Sequence, residues 1–234
     1  MKYTFTGKEK DGLKQIQRIS DGCVGGWIQH ERNLSQSGYA WVFENAKVFE
    51  NARVCGNACV SGDAWVSGDA KVCGNARVFE NACVYEGAEV YGNAKVFENA
   101  WVSENAKVYG NACVSGDAWV SGDAKVYGNA KVSEDARVSG DAWVYGNACV
   151  FGNAWVSGDA TVHGNAKIKK VYCISGLQYY ITAYGNYIQI GCKLHTLSEW
   201  EEIFSKNKYI ELCYSKKSYE KIKKAVELCK YILS

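Results

Sequence analysis

The sequence predicts a mainly β protein built around a three-sided parallel β-helix, and three observations carry that prediction. First, a six-residue unit, Ala-x-Val-[Ser/Tyr/Phe/Cys]-[Gly/Glu]-[Asn/Asp], runs from Ala40 to Ile168 without an insertion. Val stands at every sixth position from 42 to 162, Ile168 closes the series, and Ala precedes each by two residues, which makes twenty-two units. Second, six is a multiple of two, so every unit can place its Val inward and the two neighbours of that Val outward on a short strand, and then turn. Third, the corners carry a longer period. Every third corner is Gly-Asn, with its asparagine at 57, 75, 93, 111, 129, 147 and 165, while the other two classes mix Gly-Asp, Glu-Asn, Gly-Asn and Glu-Asp. That 18-residue rhythm selects three sides per coil, because a four-sided coil would scatter the Gly-Asn corners over every edge.

In chain order the elements are a cap over residues 1–38, the repeat over 39–168 and an α+β cap domain over 169–234. In the first segment, Tyr3 to Thr6 and Gln15 to Ile19 read as short strands. A cap is expected there, because the first coil would otherwise offer open strand edges to other molecules. The repeat gives about seven coils, which at about 4.8 Å each make a shaft about 35 Å long. Its Val/Ala interior leaves no room for a ligand. Asn, Asp and Gly at the corners are the residues expected to supply the left-handed backbone of a sharp bend. After Ile168 the repeat stops. Gln178 to Tyr184 and Tyr187 to Cys192 flank Gly185-Asn186 as a hairpin, and Thr196 with Glu199 makes a capping box opening a helix over 197–204. Ile222, Val226, Cys229 and Ile232 then fall at helical spacing within 218–232.

Composition removes several function classes. The 234 residues carry 27 Lys plus Arg against 25 Asp plus Glu, which supplies no global field for sequence-specific or general nucleic-acid binding. The opening Met1 to Lys10 lacks the apolar stretch of a secretory signal, and no run of about 18 apolar residues occurs, so a cytosolic protein without a membrane segment is expected. Eleven cysteines, an odd number with no paired Cys-x-x-Cys knuckles, read as reduced thiols rather than a disulfide frame or a zinc site.

The Val-x-[Gly/Glu]-[Asn/Asp]-Ala-x units resemble the hexapeptide repeats of left-handed β-helix proteins. Gly25-Gly26-Trp27-Ile28 followed by Asn33-Leu34-Ser35-Gln36-Ser37-Gly38 resembles the entry to phage- and prophage-encoded members of that family. Ile190-Gly191-Cys192 extends the likeness into the tail. The resemblance implies left-handed winding, trimeric assembly, which is common among such proteins, and a polymer-forming or scaffold role. It implies no settled activity and no cofactor.

Candidate residues sort by face. One outward column carries Trp65, Trp101, Trp119 and Trp155 beside small serines, a composition suited to protein contact with a partner or a second copy. A second carries Lys107, Tyr109, Lys125, Tyr127 and Tyr145, which could pair with phosphate and stack on bases. The alternative reading of that column is a tyrosine ladder that only ties coils together. The third carries Phe43, Phe79, Phe97 and Phe151 with Cys59, Cys113 and Cys149, and could be covered by the tail. Catalytic signals are weak. His30, His163 and His195 lie in three separate segments, so neither a three-histidine metal site nor an acyltransferase base is expected, and Cys192 with His195 reads as structural rather than as nucleophile and base. The reading is a non-enzymatic scaffold without cofactor or metal that binds a host or phage protein or itself. The alternatives are a counter-defence protein sequestering a nucleotide signal and, behind it, a hexapeptide-type enzyme.

Overall fold

The computed structural model describes residues 1–169, 172–174, 181–190, 193–206 and 216–233. Every repeat unit forms a two-residue strand, and those away from the two ends, such as Lys107–Val108, pair in parallel with the strands 18 residues before and after. The coil is therefore three-sided, as the corner rhythm requires. The ladder bonds repeat with little variation: the Lys107 amide donates to the Ala124 carbonyl at 2.9 Å and the Tyr109 amide to the Val126 carbonyl at 2.9 Å. The inward Val and Ala side chains are buried from Ala40 to Ile168 and form one continuous cluster.

The winding starts one turn earlier than the repeat. Strand β1 (Tyr3–Lys10) pairs antiparallel with β2 (Leu13–Arg18), and β2 with β3 (Val24–Ile28). Strand β3 then pairs in parallel with the first repeats, Ile28 lying beside Val48, and Leu34 bridges in parallel to Val54. Ile28 and Leu34 thus take the places that Val holds above them, and the solenoid has about eight turns rather than seven. Eight residues separate Leu34 from Val42 where the repeat has six, so the first turn is invisible to a strict period. The Gly-Gly and Asn-Leu-Ser-Gln-Ser-Gly motifs are what this turn needs. A Cβ on Gly25 would meet the Val42 carbonyl at 2.7 Å, and one on Gly38, at φ +72°, would meet the Gly56 carbonyl at 2.4 Å. Buried Asn33 donates to the Glu50 and Ala52 carbonyls at 3.0 and 2.8 Å and accepts from the His30 amide at 2.7 Å.

At the corners the left-handed residue is the first of each pair, not the Asn or Asp. Gly takes it, and so do Glu44, Glu50, Glu80, Glu86, Glu98, Glu104 and Glu134, at φ between 55° and 62°. A left-handed non-glycine residue is strained by about 1–2 kcal/mol, and the glutamates have a reason to be there. All but Glu104 curl a carboxylate onto the amide of the equivalent corner one coil on, among them Glu44 to Gly62 at 2.6 Å, Glu80 to Glu98 at 2.8 Å and Glu86 to Glu104 at 2.8 Å. The second corner residue does a different job: Asn57, Asn75, Asn93, Asn111, Asn129, Asn147 and Asn165 form an amide ladder with bonds of 3.0–3.1 Å.

Parallel stacking also brings Cys55 and Cys73 together as a disulfide, with Cα atoms 4.7 Å apart. This corrects the expectation that the thiols are reduced: residues 18 apart share a column, and that distance lies inside the span a disulfide bridges. Cys23, Cys59, Cys83, Cys113, Cys149 and Cys229 are free thiols.

In the tail, Tyr172–Ile174, Ile181–Tyr184, Tyr187–Ile190 and Lys193–Thr196 form an antiparallel meander, followed by α1 (Leu197–Ser205) and α2 (Lys216–Leu233). The expected hairpin is its middle pair, while the outer ends of that expectation, 178–180 and 191–192, lie outside the described residues. Thr196 and Glu199 make the expected capping box on α1. Trp200 anchors α1 on the sheet through its Nε1–H to the Ile188 carbonyl at 2.8 Å. Tyr184 joins the buried cluster of the shaft and Leu194 packs against it.

The two ends share a buried phenol. Burial, with Glu31 nearby, pushes Tyr3 up from 10 to about 12, and burial, with Tyr187 nearby, does the same for Tyr184. The protonated phenol is the form the fold favours. Its contribution is complete below pH 10 and is lost as pH rises to about 12. We expect the urea midpoint to fall across that window, and to fall less in Tyr184→Phe. An equal slope in the variant would show that Tyr184 is not the group responsible.

Candidate functional site

The three faces have distinct chemistry. On the tyrosine face, Tyr91, Tyr109, Tyr127 and Tyr145 stack with ring centroids 4.9 Å apart and planes within 8° of parallel, and His163 closes the column at 5.2 Å. The faces of the inner rings are thus covered by one another. Burial pushes the phenols of Tyr91, Tyr109 and Tyr127 up. Both candidate lysines of this face, Lys107 and Lys125, already have partners. Lys107 binds Glu89 at 3.0 Å, with Lys71 on the other carboxylate oxygen at 3.2 Å, and Lys125 sits 4.4 Å from the centroid of Trp143. The hydrogen bond from Lys107 is the largest influence holding the Glu89 carboxyl below its usual range, and the same bond raises Lys107. The structure therefore brings Lys107, Tyr109, Lys125, Tyr127 and Tyr145 together on one face, with the ring faces stacked and the cations engaged.

On the tryptophan face, Trp65, Trp101, Trp119 and Trp155 are 47, 45, 39 and 58% exposed. Strand pairing puts them in one column, in the order Trp65, Cys83, Trp101, Trp119, Arg137, Trp155. Every indole leans back toward the residue sixteen positions earlier. Trp119 and Trp155 donate Nε1–H to Ser103 and Ser139 at 3.4 and 3.1 Å, whereas Trp65 and Trp101 rest edge-on against Phe49 and Tyr85 at 6.0 Å. The rotamers are therefore set before any partner arrives, so little side-chain entropy remains to be lost on binding. Trp41 leans the same way over Gly25, where no hydroxyl exists, and its buried Nε1–H has no hydrogen-bond partner among the described residues.

Two signals escaped the sequence reading. One is the sixteen-residue diagonal that orients the indoles, which needs the lean of the rings and not only the column. The other is where the charge lies, since the sequence reads as an acidic shaft without showing which edges carry the acids. Seven acids line the edge before the tryptophan face (Glu44, Asp63, Glu80, Glu98, Asp117, Glu134, Asp135), and seven line the edge after it (Glu50, Asp69, Glu86, Glu104, Asp123, Asp141, Asp159). Glu89 is the shaft's one other acid, and the third edge is the neutral Gly-Asn ladder. All fourteen corner acids are exposed.

No catalytic constellation is assembled by the described residues. His195 stands 3.9 Å from Glu199 and edge-on to Trp200, while Cys192 lies outside the described residues. Among the described residues, no group of three His, Cys, Asp or Glu is placed to hold a metal, and no helix is long and apolar enough to cross a membrane.

Among family models, one described as YdcK beta solenoid repeat matches residues 52–68, 106–122 and 142–158. The three windows begin at Ala52, Ala106 and Ala142, whole multiples of 18 residues apart, so each covers one coil in the same phase. The likeness supports a β-solenoid repeat protein. No curated protein matches the chain.

Proposed function

We propose that this chain is a non-enzymatic interaction scaffold, of the phage or prophage type its entry motif resembles, that presents the tryptophan face of a rigid shaft to a protein partner. The observation that carries the reading is the row of four exposed indoles held in fixed rotamers by their neighbours sixteen residues back. A shaft that uses nearly all its apolar interior for Val/Ala packing has no structural need for large exposed rings, and rigid aromatics are the anchors that protein interfaces favour. Nucleotide sequestration ranks below it, because Lys107 would have to leave Glu89 and Lys125 would have to leave Trp143 to bind phosphate. The test is capture by immobilised protein from host lysate. A protein retained by the native chain should be absent from the Trp101→Ser/Trp119→Ser variant while the variant's melting profile is unchanged. Retention by both, or by neither, would reject the tryptophan face as the contact surface.

A further inference from the structure

The charge around the tryptophan face says what kind of partner it fits, and we infer that the face binds a lysine- and arginine-rich polypeptide segment, laid along the shaft between two acidic rails. The inference rests on the reading of this face as the contact surface, and it adds the chemistry of the occupant. Of the fifteen acids between residues 39 and 168, fourteen stand on the two edges that border the four indoles. Among the described residues none of those fourteen makes a salt bridge with a basic side chain. All the left-handed glutamates but Glu104 use one carboxylate oxygen on a neighbouring amide, as Glu98 does toward Gly116. The shaft's bases are elsewhere: only Lys47 and Arg137 of its ten lie on the tryptophan face.

Those two show how the indoles receive a cation. Lys47 lies 5.0 Å from the ring of Trp65 and Arg137 lies 5.9 Å from the ring of Trp119. A cation over the electron-rich face of an indole, with carboxylates on both sides, is favoured twice, by the ring and by the surrounding field. A second copy packed face to face would set acidic rails against acidic rails, and the exposed parts of four tryptophans amount to roughly half of the about 800 Å² per partner that a stable dimer uses. An uncharged partner would leave the charge of the rails unmatched. From Trp65 to Trp155 the row spans about five coils, about 24 Å, which an extended segment of about eight residues covers.

The probe is a labelled peptide of about eight residues alternating lysine and arginine, titrated into the full chain at low and at physiological salt, with a glutamate-rich peptide and a neutral peptide of equal length as controls. The cationic peptide should bind, and binding should weaken with salt. Trp101→Ser/Trp119→Ser should lower its affinity about tenfold. Asp117→Asn/Asp123→Asn/Asp141→Asn should lower it several-fold. No binding, equal binding of the neutral peptide, or binding that the tryptophan pair does not affect would overturn the inference. Light scattering on the same samples supplies another overturning result: self-association abolished by the tryptophan pair would assign a second copy to the face. If the peptide fails while the lysate partner is still captured and still lost in the variant, the contact surface stands and only its cationic partner falls.

Discussion

Val108→Asp should destabilise the shaft by about 3–5 kcal/mol, whereas Lys107→Ala should change stability by no more than about 1 kcal/mol. The two residues are neighbours in one strand and differ in the side they face. Val108 is fully buried between Val90 and Val126 of the adjacent coils, in a cluster that offers a carboxylate neither a counter-ion nor a hydrogen-bond donor. Its charged form would be unsolvated and its neutral form would still bury an unmatched polar group. Lys107 points out, and when it is removed Glu89 keeps Lys71 at 3.2 Å. Because each coil contacts only the next, a lesion at Val108 also uncouples the two halves of the shaft, and unfolding need not be all-or-none. The measurement is therefore a melting profile together with limited proteolysis. Val108→Asp should melt lower and be cut first in the coils around the substitution, and Lys107→Ala should match the native chain. Equal melting of the two variants would contradict the inward and outward assignment.

That contrast was legible in the sequence, because a period of six with Val fixed in every unit leaves one side for the core. The 18-residue corner rhythm was legible as well, and it contains more than three-sidedness. Cys55 and Cys73 are the one pair of cysteines 18 residues apart, so the rhythm that stacks the tyrosines also stacks these two thiols. Composition alone, an odd total with no paired motif, pointed the other way because it ignores columns. The first turn was hidden for the opposite reason: Ile28 and Leu34 do the work of Val without the Ala-x-Val signature, and the step from Leu34 to Val42 is longer than a repeat unit. The strained glutamates were hidden too. Propensity assigns a left-handed corner to Gly, Asn or Asp, and only the carboxylate bond to the next coil explains why Glu44 and Glu80 hold that conformation. The acidic rails were present in the corner classes, but they border the tryptophans only once the faces are set in order around the coil.

Gly68→Ala should destabilise the shaft by about 2–4 kcal/mol, while the same change at Gly164 should cost about 1 kcal/mol. Both glycines open a corner in the left-handed region, at φ +66° and +70°, so both variants carry the backbone penalty of a Cβ there. They differ in what lies above. A Cβ on Gly68 would stand 2.6 Å from the Glu86 amide nitrogen and 2.7 Å from its Cα, which are backbone atoms of the next coil and cannot swing aside. A Cβ on Gly164 meets nothing within 4 Å. The first variant must therefore push two coils apart, and the displacement would also disturb the 2.5 Å bond by which the Gly68 amide holds the Glu50 carboxylate. The second changes only the local backbone preference. Denaturant midpoints of the two single variants, compared with the native chain, measure the difference. Equal losses would mean that coil-to-coil contact does not limit the corner residue, and that the distribution of Gly and Glu along this edge has another cause.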